Sequence, residues 1–183
     1  LSHKEEHIAT LLQQCLEGNQ NAQLAVYNQY YKAMYNISLR IVKQTDEAED
    51  VMQESFLKAF TKLHTYKGEV AFGAWLKRIV INNSIQHYRK QQKMKEVGLD
   101  EVLYKVEDNE VGVPDHAFTE LKAQKVMKTM SRLKDNYRIS LTLHLIEGYD
   151  YDEVSRIMNI SYANCRTTIS RAKVSLRKKL IIA

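Results

Sequence analysis

Apolar residues recur every three to four positions through almost the whole of this 183-residue chain, and nowhere do they alternate as a half-buried strand requires. Leu11, Leu12, Cys15 and Leu16 trace a short first helix that Gly18 ends. Leu24, Tyr27, Tyr31, Met34 and Tyr35, then Ile37, Leu39, Ile41 and Val42, trace a long second one. Asp46 is placed to cap a third, whose buried stripe is Ala48, Val51, Met52, Ser55, Phe56, Ala59, Phe60 and Leu63. The stretch YKGEVAF interrupts the pattern, and GAWLKRIVINNSIQHYRKQQK reads as a fourth helix carrying Trp75, Ile79, Ile85 and Tyr88. Periodicity resumes at Ala117 with Leu121, Val126, Met130 and Leu133, and runs through Ile139, Leu141, Leu143, Leu145 and Ile146 to Gly148. One Pro and six Gly are too few for the many turns of a sandwich or barrel. The expected class is all-α.

Between these two helical blocks the character changes. In residues 92–116 acids dominate, large core residues are sparse, and the single Pro sits at 114. Such a segment cannot bury enough apolar area to order itself. It reads as a flexible acidic linker over 93–116, with room for a short helix near Leu99–Tyr104, joining small domains at 1–92 and 117–183.

The net charge of +5 is unevenly spread: residues 92–116 carry −4 and residues 117–183 carry +7. A basic C-terminal block suits a nucleic-acid partner, because neutralised phosphates release counterions. Cys15 and Cys165 form no CxxC pair and the His residues show no ligand spacing, so neither a disulfide nor a structural metal is expected. No apolar run reaches the ~20 residues of a membrane span. The start, LSHKEEHIATLL, has acids where a signal peptide needs basic and then apolar residues. A reducing cytoplasm is the expected location.

The C-terminal block is the more specific signal. In DYDEVSRIMNIS, Asp150 and Glu153 have capping-box spacing, and Val154, Ile157 and Met158 offer one buried turn. Asn159 falls where the chain must turn, and Asn tolerates the left-handed conformation. Ser161 can cap the next helix, SYANCRTTISRAKVSLRKKL, which carries six Lys or Arg and no acid from Arg166 onward. Two short helices, a tight turn and a basic second helix are the signature of a helix-turn-helix. With Cys165, Ile169, Ala172 and Leu176 inward, Asn164, Arg166, Thr167, Ser170, Arg171 and Lys173 point outward toward base edges or phosphates. An ordinary amphipathic hairpin is the plainer alternative.

The first domain holds two further stretches. TDEAEDVMQESFLKAF opens with five acids, of which Glu47, Asp50 and Glu54 share a helical face with Gln53 beside them. Acids there suit the helix dipole, which is reason enough for them; a carboxylate metal site is a second option, though it lacks a Glu-x-x-His partner. Residues 70–95 include Lys77, Arg78, Arg89, Lys90, Lys93 and Lys95, interleaved with Trp75, Asn82, Asn83, Gln86, His87 and Tyr88. Aromatics that stack on bases and cations that follow a backbone suit single-stranded nucleic acid. Trp75 fits either a core position or a stacking platform.

DEAEDVMQESFLKAF followed by AFGAWLKRIVINNSIQHYRK resembles the first domain of bacterial RNA polymerase sigma factors of the extracytoplasmic-function group, and GYDYDEVSRIMNISYANCRTTISRAKVSLRKKL resembles the second. The resemblance spans about residues 8–180, in the family's order and spacing. It implies a transcription initiation factor without catalysis or cofactor, a monomer when free. It also implies as partners core RNA polymerase (clamp helices of the largest subunit, and the flap), promoter DNA and an anti-sigma factor, the last able to hold the factor near the membrane. Carried over by motif, Asp50, Gln53 and Glu54, with Phe56 behind them, would dock on the clamp helices. Trp75 to Arg89, with Lys77, Arg78, Asn82, Asn83, Gln86, Arg89 and Lys90, would read the melted −10 element. Ser161, Asn164, Arg166, Thr167, Ser170, Arg171 and Lys173 would meet the −35 element in the major groove. Gln86 stands where the family often has Asp, and Thr167-Thr168 where it often has Ser-Arg, so no promoter consensus transfers. Cys165 occupies a Val-like apolar position and reads as core.

Two rivals remain at this level: a stand-alone helix-turn-helix regulator with an N-terminal effector domain, and a carboxylate-metal helical enzyme using Glu47, Asp50 and Glu54.

Overall fold

The structure is a computed structural model that describes residues 3–97 and 117–182. The rest of the linker expected at 93–116, with the short helix near Leu99–Tyr104, lies outside the described residues. Every regular element among the described residues is helical: α1 (His3–Leu16), α2 (Gln20–Val42), α3 (Thr45–Thr61), a 3₁₀ turn (Leu63–Thr65), α4 (Phe72–Val97), α5 (Ala117–Ser131), α6 (Asp135–Leu141), a π-helical turn (Thr142–Ile146), α7 (Tyr151–Met158) and α8 (Tyr162–Ile182). They group into two compact units, residues 1–89 and 90–183. Helix α4 continues five residues past the boundary expected at 92.

In the first unit, local chemistry sets the helix ends. Gly18 ends α1 in a positive-φ conformation (φ 82°), and Asn19 caps α2, its side-chain oxygen accepting from the N–H groups of Asn21 (2.9 Å) and Ala22 (3.2 Å). The expected cap of α3 needs correction. The helix begins two residues earlier, Gln44 holds the cap position, and Asp46 sits in the first turn, where its charge meets the dipole without a capping bond.

Ile41, Met52, Leu76, Val80 and Ile81 are wholly buried in this unit, each adding about 1.5–3 kcal/mol of transfer free energy. A polar seam runs through the core. Ser84 Oγ donates to the Val80 carbonyl (2.7 Å) and lies within hydrogen-bond distance of Ser38 Oγ (3.2 Å), while Asn83 Nδ2 donates to Ser55 Oγ (2.9 Å). These bonds tie α4 to α2 and α3 at defined points.

The second unit packs α5, α6 and α7 against α8. Its core is Met130, Leu133, Ile139, Leu141, Leu143, Val154, Cys165, Ile169, Ala172 and Leu176. The long apolar run expected through Ile146 is divided. Helix α6 stops at Leu141, and the π turn buries Leu143 but leaves Leu145 50% and Ile146 36% exposed. Leu121 is also exposed, outside the core to which periodicity assigned it.

The turn between α7 and α8 forms as its residues predict. Asp150 Oδ1 accepts from the Glu153 N–H (2.8 Å), and Glu153 Oε2 accepts from the Asp150 N–H (3.0 Å). Asn159 adopts the left-handed conformation (φ 49°, ψ 50°). Ser161 Oγ accepts from the Asn164 N–H (3.2 Å) at the head of α8. Replacing Asp150 by Ala removes one half of the capping box, with an expected loss of about 1 kcal/mol, read as a lowered unfolding midpoint in urea.

Candidate nucleic-acid and protein interfaces

Three surfaces gather the residues singled out by sequence. The first is the outer face of α3. Asp46, Glu49, Asp50, Gln53 and Glu54 are all exposed, with Gln53 Nε2 donating to Glu49 Oε1 (3.3 Å). Phe56 lies behind them, 2% exposed, against the ring of Tyr27 (centroids 4.8 Å apart). Beside the acids, Tyr27, Gln53, Phe56, Leu57 and Phe60 line a shallow apolar depression, and Leu57 is 69% exposed. Leu57 was missed as a site residue, although its place outside the buried stripe of α3 was a legible signal.

Glu47 leaves this face. Its Oε2 lies 3.2 Å from His87 Nε2 on α4, and both side chains are about one-third exposed or less. Among the described residues no group of three His, Cys, Asp or Glu side chains is arranged to hold a metal ion.

The second surface is the α4 ridge. Arg78, Asn82, Gln86 and Arg89 are exposed at spacings of three and four, so they stand in one row, and Lys90 is exposed beside the last. Lys77 is half-buried on its flank. Trp75 begins the row, half-buried and packed on Tyr66 (5.4 Å) and Phe72 (5.7 Å). The same cluster pins the preceding loop, since Tyr66 Oη donates to the Val70 carbonyl (2.6 Å) and Val70 stays exposed. Burial in the cluster pushes the Tyr66 phenol above its ordinary pKa.

Asn83 is a correction. It was expected among the outward readers, but it is 8% exposed. Its amide donates to Ser55, and its oxygen accepts from Lys58 Nζ (2.9 Å). Asn83 therefore joins α3 to α4 and presents nothing to a ligand. Sequence polarity could not reveal this, because a satisfied buried amide looks like a surface one.

The third surface is α8. Ser161, Asn164, Arg166, Thr167, Ser170 and Arg171 are exposed, and Ala163, Arg166, Thr167, Ser170 and Arg171 line a shallow depression along the helix. Internal bonds set the polarity that several of these offer. Ser161 is occupied as the cap. Thr167 Oγ1 donates to the Ala163 carbonyl (3.0 Å), leaving its oxygen as acceptor. Thr168 Oγ1 donates to Asn164 Oδ1 (3.2 Å), which leaves the Asn164 amide N–H groups to donate. Cys165 is fully buried and burial pushes its thiol pKa up, as suits a core side chain. Lys173, expected outward, is half-buried and turned toward the π turn and α7.

An acidic helix face, an aromatic-headed basic ridge and a helix-turn-helix thus stand on small helical units, an arrangement suited to binding both protein and nucleic acid. Residues 26–94 match Sigma-70 region 2, and residues 123–176 match Sigma-70, region 4. The chain is 34% identical over 152 residues to the ECF RNA polymerase sigma factor SigM of Bacillus subtilis (strain 168), an alignment covering 83% of this chain and 91% of SigM. It is 27% identical over 187 residues to the RNA polymerase sigma-H factor of Pseudomonas aeruginosa, covering 96% and 95%. Its fold is similar to that of the sigma factor RpoE, solved with the anti-sigma factor NepR from Bartonella quintana (TM-score 0.61, 21% identity, 86% of this chain and 96% of that one). It is also similar to CnrH, solved with the cytosolic domain of CnrY (TM-score 0.55, 21% identity, 94% and 96%). The chain belongs to the ECF sigma factors, which direct RNA polymerase to promoters.

Proposed function

We propose that this sigma factor divides its work among the three surfaces. The acidic face of α3 docks on core RNA polymerase through Asp50, Gln53 and Glu54, with exposed Leu57 and the Tyr27–Phe56–Phe60 depression as the apolar part of the contact. The ridge of α4, from Trp75 through Arg78, Asn82, Gln86, Arg89 and Lys90, holds the melted −10 strand, with Lys77 on its flank. Helix α8 lies in the major groove of the −35 duplex, where Asn164, Arg166, Thr167, Ser170 and Arg171 face the DNA. Residues 1–92 and 117–183 act as two reading heads joined by residues 93–116.

The observation that carries this division is the sorting of charge. Asp46, Glu49, Asp50 and Glu54 are exposed on α3, whereas residues 161–182, with α8, hold no acid at all. A carboxylate face repels DNA and an acid-free basic helix attracts it, so the two cannot exchange roles.

The factor performs no catalysis of its own and acts in the cytoplasm. Among the described residues no helix is long and apolar enough to cross a membrane. An anti-sigma protein is a further partner; the sigma factor RpoE, of similar fold, is solved in complex with the anti-sigma factor NepR. Promoter-dependent transcription tests the whole reading. Core RNA polymerase plus this chain, incubated with bacterial genomic fragments, should yield run-off transcripts that core enzyme alone does not make. Tight promoter binding in the absence of core enzyme would instead favour a stand-alone regulator.

A further inference from the structure

We infer that His144 and Tyr151 are positioning residues that hold the Lys173 ammonium ready for a DNA phosphate. The inference rests on the reading that α8 binds duplex DNA, and it adds two residues from outside that helix to the interface.

Lys173 Nζ lies 3.4 Å from His144 Nε2 and 5.9 Å from the centroid of the Tyr151 ring. The two rings are stacked, with centroids 4.7 Å apart and planes at 25°. His144 Nδ1 is 2.9 Å from the Tyr149 carbonyl oxygen. A carbonyl only accepts, so Nδ1 carries the proton and the neutral ring keeps its lone pair on Nε2. That lone pair faces the ammonium. The carbonyl thus selects the one tautomer able to accept from Lys173.

Both groups that hold Lys173 are uncharged. A carboxylate in the same place would cancel the lysine's charge, whereas an imidazole lone pair and a phenol face restrain it and leave the charge intact for an anion. An ammonium has three N–H donors, so a single bond to His144 leaves two for phosphate oxygens. A free lysine loses much rotamer freedom when it grips a phosphate, and a lysine already held has lost part of it beforehand. Lys173 lies on the flank of α8 shared with Arg166 and Arg177, so its ammonium extends a basic edge.

The placement follows from two local structures. The π turn Thr142–Ile146 buries Leu143 and leaves His144 half-buried beside α8, and the Asp150–Glu153 capping box fixes the first turn of α7, where Tyr151 stands.

Binding of the full-length chain to a fluorescein-labelled mixed-sequence duplex, followed by anisotropy across a salt series, tests this. Lys173→Ala should weaken binding and lower the salt slope by about 0.9, the value for one phosphate contact. His144→Leu keeps the lysine charge, so it should weaken binding about threefold to tenfold with the slope unchanged. The double variant should match Lys173→Ala alone, and His144→Gln, whose amide oxygen can accept, should recover part of the loss. In ¹⁵N NMR the Lys173 ammonium should be ordered in the wild-type chain and mobile in His144→Leu. Circular dichroism checks each variant's fold, and His144→Gln carries the comparison if His144→Leu fails to fold.

Equal weakening by His144→Leu with and without Lys173 would show a merely structural histidine and overturn the inference. An unchanged slope in Lys173→Ala, with a lowered one in Arg171→Ala, would overturn it while leaving α8 as the DNA helix. Unchanged slopes in both would remove α8 from DNA and the inference with it.

Discussion

A chain carrying Asp50→Ala together with Glu54→Ala should elute apart from core RNA polymerase on gel filtration, while its circular dichroism spectrum and urea midpoint stay at wild-type values. Both carboxylates are exposed on α3 and one turn apart, and neither is engaged in an ion pair among the described residues. Removing them therefore costs the fold little, within about 0.5 kcal/mol, as for other uncommitted surface positions. Paired charges at a protein interface are another matter. Losing two that face a basic partner should weaken association on the order of a hundredfold or more. Glu47→Ala is the informative contrast, because Glu47 is already occupied by His87. It should lower stability and leave co-elution intact. Retained co-elution of the double variant would place the polymerase contact elsewhere.

The second large effect is expected at α8. Arg166→Ala with Arg171→Ala should weaken binding of the full-length chain to duplex DNA by about a hundredfold at low salt. Its salt slope should fall by about two if both arginines meet phosphates. Both side chains are exposed and line the depression along the helix, and no core contact depends on either. Circular dichroism should again be unchanged. A loss of affinity confined to one DNA sequence, with the slope preserved, would instead assign the arginines to base edges. If affinity and slope both survived, DNA reading would belong to another face.

These two experiments address surfaces whose residues were unequally legible. The α3 acids and the α8 cations were plain, because a charged side chain off the apolar stripe of a helix has only solvent or a partner to face. Leu57 was legible in principle by the same rule, as an apolar residue off the stripe. The α4 ridge was harder. The sequence marked Trp75, Ile79, Ile85 and Tyr88; of these Ile85 is buried and the other three are half-buried, whereas Leu76, Val80 and Ile81 are wholly buried, with Asn83 and Ser84 buried beside them. Two polar residues inside the stripe blurred the helical phase. What makes them tolerable is a set of partners 25 to 46 residues away: Lys58, Ser55 and Ser38. Periodicity contains no information about such partners.

Lys173 makes the same point in the other unit. Helical spacing put it on the outward face, and a lysine there looks free. Its partner His144 is 29 residues distant and reaches it from a π turn that no residue pattern announced. Conversely, the capping box of Asp150 and Glu153, the left-handed Asn159 and the Ser161 cap formed as their residues required, because each satisfies backbone groups within four residues. The sequence by itself thus determined the helical class, the helix-turn-helix and the separation of acidic from basic surfaces, since all three follow from local backbone energetics and side-chain polarity. Only the tertiary structure decided that Asn83 is a core strut, that Glu47 belongs to His87 and that Lys173 is held in place. Those assignments depend on which distant side chains fill the remaining hydrogen bonds once the helices have packed.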